Sequence, residues 1–204
     1  MAVDIQTRYT PPAWAFTFHG HQCPFMPLGW RMGVIALHRL QLERELDHTL
    51  HVICELGEGH PQTCLMDGIQ AATGATFGKT LMEKTNWGKL AATFWYPGIT
   101  AVRYALRNSF LSALGEQEFF AWRKRGVEPS SIPEAVTDAA IAWTLAQPDD
   151  VVFSASERPD FSYLPPRGSF NRATCSACGE SVFERYVRIQ DGLPVCIPCS
   201  GYKA

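Results

Sequence analysis

The sequence predicts a core of mixed α-helix and β-sheet followed by a small zinc module held by four cysteines. Three observations predict it. Apolar residues recur at steps of three and four in some segments and alternate with period two in others; a polar stretch with Pro159, Pro165, Pro166 and Gly168 breaks that pattern; and two Cys-x-x-Cys pairs follow. The implied division is a core over residues 1–156, a linker over 157–173 and a module over 174–204. At 204 residues, 46% hydrophobic and 19% charged, the chain can bury one substantial core with something small beside it.

The elements follow from local patterns. Leu28, Met32, Ile35, Leu37 and Leu40 mark a helix over 27–42. Residues 49–56 alternate Leu50, Val52 and Cys54 with His51, Ile53 and Glu55, which suits a strand. A second helix is predicted over Cys64–Thr73, with Thr63 as N-cap and Gly74 as stop. LAATFWY and ITAVRYAL are two β-rich runs joined by Pro97-Gly98, the signature of a hairpin. Apolar spacing then predicts helices over 109–125 and 133–147, parted by the Pro129-Ser130-Ser131 loop, and a last strand over 150–154.

Composition removes several function classes. A net charge of −2 supplies no general field toward nucleic acid or an anionic membrane. The opening MAVDIQTRYT lacks the apolar stretch of a secretory signal and no run reaches the ~18 apolar residues of a span, so a cytoplasmic protein without membrane association is expected. Seven cysteines in such a chain argue for metal or thiol chemistry over disulfides, since the cytosol keeps thiols reduced.

Cys175 and Cys178 precede Cys196 and Cys199 by 17 residues (179–195), the spacing of a four-cysteine structural zinc site. The segment between them reads as two short strands around Asp191-Gly192. Four thiolates leave no open position, so the metal's role is to fold a module too small to fold on its own apolar surface. A redox dithiol or an iron–sulfur ligand set is the alternative. Arg172, Arg185 and Arg188 against Glu180, Glu184 and Asp191 balance too evenly for a phosphate-reading surface, which argues against nucleic acid.

In the core, His19, His21 and Cys23 alternate within five residues, and an extended segment would point all three to one side. Cys23 precedes a predicted helix, whose exposed amides favour a thiolate; Cys64 repeats the arrangement with Asp67 one turn on. Histidine nitrogen with cysteine sulfur suits zinc and its neighbours, so His21, Cys23 and Cys64, with His19 as a fourth ligand or a proton carrier, are the candidate site for a second transition metal. Cys23, His19 and Asp67 are the candidate catalytic groups, as ligand or nucleophile, proton carrier, and orienter or base. His60 reads first as a turn residue, and Cys54 as a small buried hydrophobe. Lys79, in TGATFGKT, is expected to bring positive charge to the mouth of the cleft for an anionic small-molecule substrate.

FHGHQCPFMPLGWRMG at 18–33 and CLMDGIQAATGATFGKTLMEKTNWGKLA at 64–91 together resemble the FmdE family, named from formylmethanofuran dehydrogenase. His19, His21, Cys23 and Pro24 match its first motif, and Cys64, Asp67, Ile69, Gln70, Thr73, Gly74, Gly78 and Lys79 its second. Phe25 stands where the family has glycine, Gly68 where it has alanine, and Ala75 where it has a cysteine; Phe25 is expected to narrow the pocket beside Cys23. The resemblance implies an α+β core, with a mixed sheet and helices packed on it, similar to the catalytic domain of glyceraldehyde-phosphate dehydrogenase. It also implies a treble-clef zinc finger at the C-terminus, a homodimer, and association with a molybdenum or tungsten enzyme. Two functions stand: a metal- or thiol-dependent enzyme, and an accessory or metal-delivery protein for such an oxidoreductase.

Overall fold

The computed structural model describes residues 9–59, 62–166 and 168–202; His60 and residues 1–8 lie outside them. The chain forms two compact units, Met1–Ser162 and Tyr163–Ala204. In the first, the period-two runs become one five-stranded sheet, ordered β2-β1-β3-β4-β5, from β1 (His51–Cys54), β2 (Met82–Lys84), β3 (Ala91–Tyr96), β4 (Ile99–Leu106) and β5 (Phe153–Arg158). β1 and β2 pair parallel and the remaining neighbours antiparallel, so the sheet is mixed as expected. Val52, Phe94 and Val102 lie in register on one face with Cys54, Ala92 and Tyr104, and all six are buried.

Helices follow the predicted apolar faces. α1 (Ala13–His19) precedes α2 (Phe25–Leu40), and α3 (Cys64–Thr73) crosses α2. Gly74, at φ 73°, ends α3 where a C-cap glycine is expected, whereas Thr63 makes no side-chain cap. The crossing is made of glycine. A Cβ at Gly29 would stand 1.9 Å from the Leu65 carbonyl oxygen, and one at Gly68 would stand 2.1 Å from that of Met26. This explains the departure at Gly68: here even alanine would force the two backbones apart.

α4 (Asn108–Gly115), α5 (Glu118–Lys124), α6 (Glu134–Ala146) and α7 (Asp149–Val152) complete the unit. The helix predicted over 109–125 is thus two, because Gly115 weakens it and Gln117 adopts extended backbone at ψ 144°. The strand predicted over 150–154 starts only at Phe153. Pro148 with Asp149 and Asp150 is a helix-start sequence, and it winds the first residues into α7. Arg31, buried in α2, donates to the Asp149 carboxylate (2.7 Å) and the Gln147 carbonyl (2.7 Å), tying α2 to the α6–α7 junction.

In the second unit, β6 (Arg172–Thr174) pairs with β7 (Ser181–Phe183), and β8 (Val187–Gln190) with β9 (Leu193–Cys196), ahead of α8 (Ile197–Ser200). Asp191 and Gly192, at φ 51° and 78°, form the expected hairpin turn. Among the described residues, no helix is long and apolar enough to cross a membrane.

Candidate metal centre

His19, His21, Cys23 and Cys64 come together, but not along an extended segment. His19 is the last residue of α1, and Gly20, at φ 92°, turns the chain back so that His21 folds against it with ring centroids 4.2 Å apart. Cys23 then precedes α2 and Cys64 opens α3, so the glycine crossing of the two helices brings the thiols to the imidazoles. The four donor atoms lie within 4.8 Å of one another.

Their spacing tests whether a metal fits. Bond lengths of 2.0–2.1 Å to nitrogen and 2.3 Å to sulfur put two nitrogens about 3.3 Å apart around a tetrahedral ion, and nitrogen and sulfur about 3.6 Å apart. His19 Nε2 is 3.3 Å from His21 Nε2. Cys23 Sγ is 3.7 Å from His19 Nε2, and Cys64 Sγ is 3.9 Å from His21 Nε2. The donors fit. His19 Nδ1 meets Asp67 Oδ2 at 2.8 Å, so Asp67 holds the ring with Nε2 toward the cluster, and Gln70 donates to the same carboxylate at 3.2 Å.

The charges are arranged in advance. Burial opposes a charged His19, but hydrogen bonds to Asp67 and Cys64 outweigh it and lift the imidazole to about 9. A hydrogen bond from Cys23, helped by His19, lowers the Cys64 thiol to about 4. Cys23 moves well above the ordinary thiol range through that same hydrogen bond and its burial, although the amides of Met26 and Phe25 at the helix start act in the opposite direction. Both thiols stand at helix starts, as expected, and their mutual hydrogen bond favours the thiolate on Cys64 over Cys23. With the core metal removed, Cys64 should be alkylated readily at pH 6 while Cys23 and the buried Cys54, raised to about 12, stay unreacted. Peptide mapping by mass spectrometry checks this, and Cys23 labelling first would reverse the assignment.

A cavity of about 400 Å³ opens beside the cluster, and His21, Cys23 and Cys64 are part of its lining. Phe25, Phe119 and Phe120 form a wall, so Phe25 does bound the space beside Cys23. Ala75 is buried in the core, outside the cavity lining. Lys79 also lies outside that lining; its ammonium donates to the Glu45 carbonyl (3.0 Å). The cation that does line the cavity is Arg123 of α5, which local pattern does not single out within the WRKRG run.

The second group is Cys175, Cys178, Cys196 and Cys199, whose sulfurs also lie within 4.8 Å of one another. Cys178 and Cys196 Sγ are 4.0 Å apart, against about 3.8 Å expected between sulfurs around a tetrahedral zinc. The Cys196 amide donates to Cys175 Sγ (3.3 Å) and the Cys199 amide to Cys196 Sγ (3.4 Å), contacts that stabilise thiolates. Backbone amides, led by that of Cys178, lower the Cys175 thiol to about 6. Among the described residues these two groups are the sets that can hold a metal ion.

Residues 18–154 match the model of the family described as FmdE, molybdenum formylmethanofuran dehydrogenase operon. A protein of Archaeoglobus fulgidus described as a probable S-adenosyl-L-methionine-binding protein is 28% identical over 199 residues, 90% of this chain. The chain spans about half (50%) of that relative's length. The 1.90 Å crystal structure of a tungsten formylmethanofuran dehydrogenase FmdE-like protein from Syntrophus aciditrophicus superposes with a TM-score of 0.57 at 19% identity, covering 91% of this chain and 88% of that one. That likeness concerns the fold.

Proposed function

The chain belongs to the FmdE family, and from that premise we propose that it is a metal-dependent enzyme acting on a small molecule, with its reaction centre at the His19–His21–Cys23–Cys64 cluster. One observation carries this reading: three of the four donors also line a cavity of small-molecule size. A site serving only to store or stabilise a metal needs no such space beside its ligands.

The core ion of this reading is zinc or a neighbouring transition metal, and when bound it supplies a Lewis acid facing the cavity. The chain's own residues do the rest. His21, Cys23 and Cys64 would hold the ion at the cavity, where a small ligand would add as a fifth donor or take the place of one of the four. His19, whose side chain is 5% exposed, would be the buried fourth ligand, its second nitrogen held by Asp67. Asp67, 37% exposed at its side chain, fixes the orientation of that ring and raises its basicity, while keeping contact with solvent. Phe25 and Phe119, both buried, keep water from the cavity wall. Cys175, Cys178, Cys196 and Cys199 hold a structural zinc in this reading, and a homodimer in a reducing cytoplasm accords with the family resemblance and with seven free thiols.

The test uses cobalt in place of the core metal. Azide or thiocyanate should shift the visible absorption of the core cobalt at millimolar concentration and leave the four-thiolate cobalt bands unmoved. A core spectrum indifferent to both anions, with cobalt bound, would turn the assignment toward a closed site. An accessory role beside a molybdenum or tungsten enzyme is the second reading, favoured by the exposed Phe183, Tyr186, Ile189 and Leu193 of the tail unit, an apolar surface able to meet a protein. Titration with S-adenosyl-L-methionine tests whether the binding for which the archaeal relative is named extends to this chain.

A further inference from the structure

The cavity is also lined by groups that the metal centre leaves unused. Phe25 and Phe119 are buried, and each meets Phe120 edge to face, with centroids 6.0 and 5.3 Å apart. All three rings line the cavity and present it with a rigid apolar wall. Beside that wall Arg123, 28% exposed at its side chain, donates through one terminal nitrogen to the Val127 carbonyl (2.6 Å) and to Glu128 Oε2 (3.3 Å). The first bond fixes the guanidinium; no other acceptor among the described residues takes the remaining N–H groups of its fork. Glu128 is 75% exposed at its side chain and its contact is long, so the pair is weak and open to exchange.

From this we infer that the cavity binds a small organic carboxylate with a flat apolar body. Its carboxylate displaces Glu128 from Arg123, its body lies along Phe25 and Phe120, and its other end faces His21, Cys23 and Cys64. A carboxylate fits better than an ammonium for two reasons. The planar fork of Arg123 matches two carboxylate oxygens and loses little hydration beside an aromatic wall. Glu128, the group that would receive an ammonium, is mostly in water, where an ion pair gains little. A volume of about 400 Å³ suits a molecule of this size and excludes a polymer. The inference rests on the metal-centre reading only for what the ligand's other end meets.

The experiment is a calorimetric titration of the full zinc-loaded chain with 3-phenylpropionate, its neutral amide and phenethylamine. The acid should bind, with the amide and the amine at least about tenfold weaker. Arg123→Gln should weaken the acid by about ten- to a hundredfold while leaving the amide unchanged, and Glu128→Gln should tighten the acid by about threefold. Glu128→Gln changes an exposed group, so it keeps the test alive should Arg123→Gln fail to fold. Preference for the amine, equal binding of acid and amide, or a weaker acid in Glu128→Gln would each overturn the inference. Zinc content of the same samples separates the two ideas. A chain that holds core zinc and ignores the acid defeats this inference alone, whereas one that binds the acid without core zinc defeats the metal-centre reading alone.

Discussion

Cys64→Ala should leave the core metal bound about a hundred- to a thousandfold more weakly, while the tail metal remains. The magnitude follows from dividing about 10–16 kcal/mol for a four-ligand zinc site among its ligands, which gives about 2.5–4 kcal/mol each. Cys64 is chosen because hydrogen bonds from Cys23 and His19 lower its thiol toward the thiolate form that a metal needs. Its partners must first give up protons: His19 is lifted to about 9 and Cys23 stays protonated through neutral pH. Binding therefore expels protons, and the sign is set. Between pH 5 and pH 8 affinity should rise as pH rises, by up to about a hundredfold per unit if two protons leave per ion. Competition titrations with a chromophoric chelator at several pH values measure both quantities. Wild-type affinity in Cys64→Ala, or an affinity indifferent to pH, would mean that the cluster is not a metal centre.

Cys175→Ala should unfold the tail unit and leave the core standing. Among the described residues the apolar cluster of the tail is Cys175, Val195 and Cys196 with Val182 against it, and two of those four belong to the proposed metal-binding set. Such a cluster cannot offset the conformational entropy of ordering the unit, so the ion supplies nearly all of its stability, about 10–16 kcal/mol when bound. The expected result is the loss of one zinc per chain, rapid proteolysis within residues 163–202, and a helical circular dichroism signal reduced only slightly. An intact zinc count with a protease-resistant tail would show that the four sulfurs do not hold a metal.

What could be read from the sequence was what depends on neighbours in the chain. Cys64–Thr73 has the bounds that Thr63 and Gly74 suggest, and Pro97-Gly98 makes the turn its residue types require. The donors were legible because three stand within five residues and the fourth heads a helix with a clear start. The route by which they meet was not. α1 carries Trp14 and Phe18 on its exposed side, which blurs the apolar periodicity and hides a helix ending at His19. β2 has three residues, too few to show alternation. Arg31 with Asp149, and Arg123 with the aromatic wall, depend on contacts between distant parts of the chain, for which a single sequence carries no signal.

The glycine crossing of α2 and α3 acts as the pivot of a caliper whose jaws are Cys23 and Cys64. Gly68 lies one turn from Cys64, and Gly29 less than two turns from Cys23, so a separation imposed at the pivot reaches the thiols almost undiminished. Metal bonds tolerate about 0.2 Å. In the proposed metal centre the backbone oxygens of Met26 and Leu65, themselves outside the donor set, would therefore set the gauge of the site and with it the ionic radius the jaws accept.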